Sequence, residues 1–324
     1  MKRKMSLAFV AGLLVAMVFT SCSKLREDFD FDTVGNYSVW KERVTPIVEG
    51  CTTDYEKALA IYLWECDNIE YDFEFKIYHA ESCWEHRKGV CQAYSELFMC
   101  LANGCDLVAS VITGYVKGPD DDHAWVKVKT EKGWILADPT WGDGDNYSKA
   151  AWFDVAPEWA IFNRFPDYRS NQMLSTPITR SQFKDLPDIS WPIGSKFWWN
   201  NRGFLDYYLN HNEETVPEFN RYSTQVIDNV KLIEAPYQGK LKVGETYTFK
   251  VQCLDTCVVI GNYSNIPTWM DTFEAWEKEG DVYTKVFRPD IDWVHPDLGE
   301  GAFGIVVREK NKEDIMFVRY FIVN

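Results

Sequence analysis

"GPDDDHAWVKVKTEKGWILADPTWGD", residues 118–143, reads as a β-hairpin. Its arms, "HAWVKVK" and "GWILADPTW", are rich in β-branched and aromatic residues, and "TEKG" between them supplies the turn. Arms of five residues, 124–128 and 133–137, with a four-residue loop would set His123 directly opposite Asp138. Side chains so opposed have Cβ atoms about 5 Å apart, close enough for an imidazole N–H to reach a carboxylate. The carboxylate then fixes the tautomer and orientation of the ring, and the pair becomes chemistry when a nucleophile meets the other ring nitrogen.

Upstream, "HRKGVCQAYSELFMCLANG", residues 86–104, offers that nucleophile. Tyr94, Leu97, Phe98 and Leu101 recur at helical spacing, Gly104 is placed to stop the helix, and Cys91 opens it behind a turn at Gly89. A thiol at a helix start sits at the positive end of the dipole beside unpaired backbone N–H groups. That position lowers its pKa and leaves donors for an oxyanion.

"RKGVCQAYSELFMCLANG", "VITGYVKG", "DDHAWVKV" and "GWILADPTWGDG" together resemble the successive signatures of the transglutaminase-like superfamily, across roughly residues 50–145. The resemblance implies a papain-like α/β thiol fold with Cys91 as nucleophile, His123 as base and Asp138 as its orienter. It also implies acyl transfer on amides. The following "AWFDVAPEWAIFNRFPDYRSNQMLSTPITRSQFKDLP" is similar to the segment after the core in the kyphoscoliosis peptidase branch, which implies cysteine-protease-like chemistry. The wider superfamily adds glutamine–lysine crosslinking and deglycosylation. Ala93 replaces a common glycine and Val126 an asparagine often found after "HAW"; both border the nucleophile rather than the triad. Members often take a second oxyanion contact from an upstream aromatic or amide side chain, which makes Tyr71 and Trp84 candidates. No cofactor is implied, calcium entering only by analogy with crosslinking transglutaminases.

Outward from this core, "DYEKALAIYLWECDNIEYD" places Ala58, Ile61, Tyr62, Trp64 and Ile69 at near-helical spacing behind an Asp54 N-cap. "LVASVITGYV" reads as a third strand, and residues 150–222 read as irregular, aromatic and proline-rich with short helices. From about Val226 short alternating segments ("YTFKVQC", "CVVIGNY", "YTKVFRP", "GAFGIVV", "MFVRYFIV") suggest an Ig-like β-sandwich. The fold class expected is α+β. A transglutaminase-like domain of helices packed on an antiparallel sheet spans residues 37–190, a connecting segment 191–224 and a β-sandwich 225–324.

The chain opens with "MKRKMSLAFVAGLLVAMVFTSC": a basic start, an apolar run and small residues before Cys22. This is a secretory signal over residues 1–21, too short for a membrane span. Its end resembles the lipobox of bacterial lipoproteins, with Phe19 where leucine is usual, and implies cleavage before Cys22 and diacylglycerol on its sulfur. Residues 22–36 read as a polar, acidic tether. The expected place is the bacterial cell envelope, at the outer membrane, held through the lipid. The formal charge of −15 includes Lys2, Arg3 and Lys4, so the chain beyond the leader is more acidic still and nucleic acid is excluded as a partner. Nine cysteines show no framework spacing, and Cys253 and Cys257 would stand about 13 Å apart on a regular strand.

Other motifs carry blander readings. His79, Cys83 and His86 have helical spacing for a metal but lack a fourth ligand. Asp120, Asp121 and Asp122 are a solvated run whose functional version is to raise the pKa of His123. "DGDN" at 143–146 lacks a calcium-loop pattern. Trp191, Trp198 and Trp199 are assigned to packing over glycan binding. The function expected is an exported thiol enzyme that cleaves, rather than crosslinks, amide bonds in proteins or peptides. The alternatives are a catalytically silent surface protein that binds a peptide or glycan, and an amidase of cell-wall peptides.

Overall fold

The computed structural model describes residues 37–117, 122–219, 229–254, 258–265, 274–309 and 314–324. The leader, Cys22, Asp120, Asp121 and Cys257 lie outside these residues. The architecture is mixed α and β: helices on an antiparallel sheet, then two further sheets.

Four helices precede the first sheet: α1 (Tyr37–Val44), α2 (Asp54–Asn68), α3 (Ala80–His86) and α4 (Cys91–Gly104). The cap of α2 is Thr53 rather than Asp54. The Thr53 hydroxyl accepts from the Glu56 N–H at 3.1 Å while the Glu56 carboxylate accepts from the Thr53 N–H at 3.0 Å. The apolar face of α4 is fully buried at Tyr94, Leu97, Phe98 and Leu101. Gly104 does not end α4 by a left-handed turn. A Cβ there would lie 2.7 Å from the Trp40 carbonyl carbon, so the absent side chain is what lets α1 and α4 meet. On α2, Glu65 is wholly buried and neither carboxylate oxygen has a hydrogen-bond partner, so burial pushes its carboxyl well above the ordinary range.

The first sheet has order β6-β5-β4-β3-β7, with β3 (Ala109–Val116), β4 (Asp122–Thr130), β5 (Gly133–Ala137), β6 (Phe153–Val155) and β7 (Arg164–Pro166). All of its pairs are antiparallel. Both edge strands come from the segment read as irregular, because three-residue strands carry too little alternation to see in sequence. A separate parallel pair joins β1 (Glu70–Tyr71) to β2 (Lys88–Gly89) just ahead of α4.

Beyond residue 217, β8 (Glu218–Phe219), β9 (Val230–Glu234), β10 (Lys240–Lys242), β11 (Tyr247–Cys253), β12 (Val258–Asn265), β13 (Glu274–Ala275), β14 (Glu277–Glu279), β15 (Val282–Phe287), β16 (Glu300–Glu309) and β17 (Asp314–Val323) form two sheets. One is four-stranded, β14-β15-β11-β9, and one six-stranded, β10-β17-β16-β12-β13 with β8 added on β17. The strands read from the sequence fall on β11, β12, β15, β16 and β17. Phe249 of the four-stranded sheet meets Phe303 and Tyr320 of the six-stranded one at ring distances of 4.9 and 5.3 Å, two layers sharing one apolar interior.

Candidate active site

The β4–β5 hairpin is tighter than its sequence suggests. Thr130 pairs with Gly133 and Val126 with Ala137, so Glu131 and Lys132 alone make the turn. The Thr130 hydroxyl accepts from the Lys132 N–H at 3.2 Å, and Gly133 adopts φ +109° to close it. This register carries Asp138 to a position opposite Trp125, so the expectation that His123 and Asp138 oppose directly fails. They are diagonal neighbours on one face, and still His123 Nε2 lies 2.8 Å from Asp138 Oδ2.

Asp138 also does not continue the strand. It caps a short helix, α5 (Pro139–Gly142), its Oδ1 accepting from the Trp141 N–H at 3.0 Å. Its Oδ2 accepts from Arg164 Nε at 2.7 Å in addition to His123. Burial would raise the Asp138 carboxyl, but Arg164 and then His123 outweigh it and hold it at about 2. A carboxylate so held can only accept, so Nε2 carries the proton of the His123–Asp138 bond.

The other ring nitrogen is left for Cys91, which lies near enough for the imidazole to act on its thiol. Burial works to raise the Cys91 thiol, yet His123, with the Ala124 backbone N–H, brings it below its ordinary value. Burial likewise disfavours charge on His123, but Asp138 and then Cys91 carry its pKa above the ordinary value. Asp122, exposed at the start of β4, is not among these causes. Cys91 is the first residue of α4, whose N-cap Val90 makes no side-chain cap bond, so the helix start is not closed by a capping group. Gly89 before it is not a turn glycine. It pairs with Tyr71 in β2, and a Cβ there would lie 2.7 Å from that of Ala93 and 3.0 Å from Cys83 Sγ.

His123 opens onto a cleft of about 740 Å³ lined by Glu70, Tyr71, Phe73, Lys88, Thr140, Trp141, Asp143 and Trp191. Tyr71 therefore lies in the cleft. Trp84 does not: its ring stacks on Trp64 at 5.0 Å and under the Arg87 guanidinium at 4.1 Å. The three tryptophans assigned to packing divide. Trp198 is core, Trp199 is exposed, and Trp191 stands in the cleft 6.3 Å from the Trp141 ring. His79 meets Glu96 at 3.2 Å, and Cys83 is buried in the core. Among the described residues no group of three or more His, Cys, Asp or Glu could hold a metal ion.

Arg164 is the functional residue the sequence did not reveal. It stands on the edge strand β7 with its guanidinium 3.6 Å from the centre of the Trp152 ring and 4.5 Å from that of Trp141. Its other partner is Asn163 Oδ1, 2.6 Å from Nη1. Lone arginines between aromatics carry no spacing rule, and only the placement of β7 beside β3 makes this one meaningful.

Residues 41–139 match the family model of the transglutaminase-like superfamily, and the chain carries a domain of that kind. Kyphoscoliosis peptidase of Mus musculus is 30% identical over 171 residues and that of Homo sapiens 28% over 169. Each match covers 44% of this chain and 26% of the relative, so the chain spans about a quarter of the length of the curated relatives it matches. A solved structure of a candidate cysteine protease from Cytophaga hutchinsonii is 25% identical, over 35% of this chain and 43% of that one, at a TM-score of 0.31.

Proposed function

We propose that the protein is an exported, lipid-anchored thiol enzyme that cleaves amide bonds in proteins or peptides through Cys91, His123 and Asp138. One observation carries it: a buried imidazole with Nε2 fixed on a carboxylate 2.8 Å away, acting on the thiol that opens a helix. The transglutaminase-like domain and the two peptidase relatives support the same chemistry.

In the acylation step Cys91 gives its proton to His123, and the thiolate attacks the amide carbonyl carbon. The π electrons move to the oxygen, where the backbone N–H groups of the first turn of α4 receive them. Collapse breaks the C–N bond as His123 protonates the leaving amine, and a thioester remains on Cys91. Water, deprotonated by His123, then attacks the thioester. The thiolate leaves, the acid product departs, and the proton stays on the ring to restore the thiolate–imidazolium pair. Asp138 cannot take that proton, because Arg164 keeps it ionised, so it orients the ring and balances its charge. The acyl acceptor in this reading is water rather than an amine. The anchor rests on the leader and Cys22, which would hold the enzyme at the outer membrane of a bacterial envelope.

The test is the pH dependence of Cys91 alkylation in the chain beginning at Ser23, followed by peptide mass, beside His123→Ala. Alkylation that stays fast well below the ordinary thiol pKa of about 8.5, and slows in the variant, supports the ion pair. An ordinary profile indifferent to His123 removes the enzymatic reading and leaves that of a binding protein.

A further inference from the structure

The loop after β1, "DFEFKIY" at residues 72–78, is built with unusual care for a surface segment. Asp72 is buried, and its carboxylate accepts from the backbone N–H groups of Glu74 at 3.2 Å, Lys76 at 2.7 Å and Ile77 at 2.9 Å. The loop is tied at both ends to the residues before the nucleophile: the Asp72 N–H donates to Gly89 O at 2.9 Å, and the Val90 N–H to Ile77 O at 3.0 Å. What this scaffold presents is apolar. Phe73 is 78% exposed and lines the cleft, and Phe75 is 59% exposed at φ +55°, a conformation that a bulky side chain rarely adopts. Their rings pack edge-on against Tyr71 at 5.0 and 6.4 Å, an aromatic platform of which Tyr71 and Phe73 line the cleft.

Rigid backbone, unfavourable φ and solvent-facing rings are a poor solution for stability, and such strain gathers where a segment grips something. We infer that Phe73 and Phe75, with Tyr71, form the subsite for a bulky apolar side chain of the peptide substrate, on the acyl side of the bond that Cys91 attacks. The side follows from the layout. His123, which delivers the proton to the leaving amine, stands at the start of β4, and its neighbours Thr140 and Trp141 stand on α5, just past β5. The platform comes from β1 and its loop, sewn to the strand that leads into Cys91. An aromatic or branched aliphatic residue is the occupant, since a ring platform gives apolar contact without a fixed hydrogen-bond pattern.

This inference rests on the proposed role of Cys91, and the experiment separates the two. The probes are acetylated tripeptide chloromethyl ketones that differ only in the last residue: phenylalanine, leucine, alanine or glycine. In each the Cys91 sulfur forms a bond to the methylene carbon as chloride leaves. The second-order rate of Cys91 labelling is followed by peptide mass for the unaltered protein and for a variant carrying Phe73→Ala and Phe75→Ala. The expected result is a preference for phenylalanine or leucine over glycine of about tenfold or more, shrinking to about threefold or less in the variant. No preference in the unaltered protein, or a preference that the variant keeps, overturns the subsite. The quantity read is a ratio within one protein, so it is obtained even with an unactivated thiol at alkaline pH. An unactivated thiol is reported separately by the pH profile with His123→Ala.

Discussion

The two halves of the molecule bury different things. Among the described residues every buried polar or charged side chain lies between Glu65 and Gln172, with His123, Asp138, Arg164 and Asp72 among them. The described core beyond residue 229 is aromatic and aliphatic: Phe249, Phe303, Ile305, Tyr320 and their neighbours. Both halves rest on antiparallel sheets, so the difference is not one of backbone. Burying a charge costs several kcal/mol unless partners replace the lost water, and a helix–sheet unit accepts that cost where the charges meet one another at a cleft. The C-terminal sheets carry no such burden. Their stability is set by packing, which is indifferent to pH near neutrality.

The largest effect that tests this contrast is at the nucleophile. Cys91→Ala is expected to abolish peptide turnover, a loss of at least about 10³-fold, without moving the thermal midpoint. A loss of folding instead would make Cys91 a packing residue. Next, Asp138→Asn keeps the shape but removes the charge that fixes the ring, and turnover should drop by about 10²- to 10⁴-fold. The same variant is informative about stability. Asp138 is held at about 2, below the ordinary carboxylate value of about 3.9, so its contribution is present above the ordinary value. It is lost as pH falls through the lowered one, and acid unfolding followed by circular dichroism should show the variant without that component.

In the apolar half, Phe249→Ala is expected to cost about 3–5 kcal/mol in denaturant unfolding, by the same amount at pH 5 and pH 8. A cost that changed with pH would break the contrast. Glu65 sharpens it from the other side. Its carboxyl is raised by burial, so the native state is favoured below the ordinary value of about 4.3 and loses up to about 1.4 kcal/mol per pH unit above it, until the raised value is reached. Glu65→Gln should flatten that slope, read from urea unfolding across pH. The smallest effect is at the surface. Thr53→Ala removes the cap of α2 and should cost about 1 kcal/mol at every pH.

Much of the site was legible before any coordinates. A cysteine opening an apolar helix, a histidine entering a hairpin and an aspartate leaving it each have a local signature, because helix starts and hairpin ends are written in residue type and spacing. The structure brings Cys91, His123 and Asp138 together. The register was not legible. A two-residue turn and a four-residue turn both suit "TEKG", and the choice shifts Asp138 from facing His123 to facing Trp125. Trp191 could not be told from core tryptophans, since an indole suits a cleft wall and a packed interior equally.

The sequence by itself determined the α+β class, the helix behind Cys91, the central strands and the alternating strands of the C-terminal half. Hydrophobic period and turn chemistry act within a few residues and can be read there. Only the tertiary structure decided that Arg164 on an edge strand holds Asp138 ionised, that Trp84 turns away while Tyr71 lines the cleft, and that two exposed phenylalanines stand on a loop sewn to residues 89 and 90. Those facts depend on which distant segments share a surface, and chain separation carries no record of that.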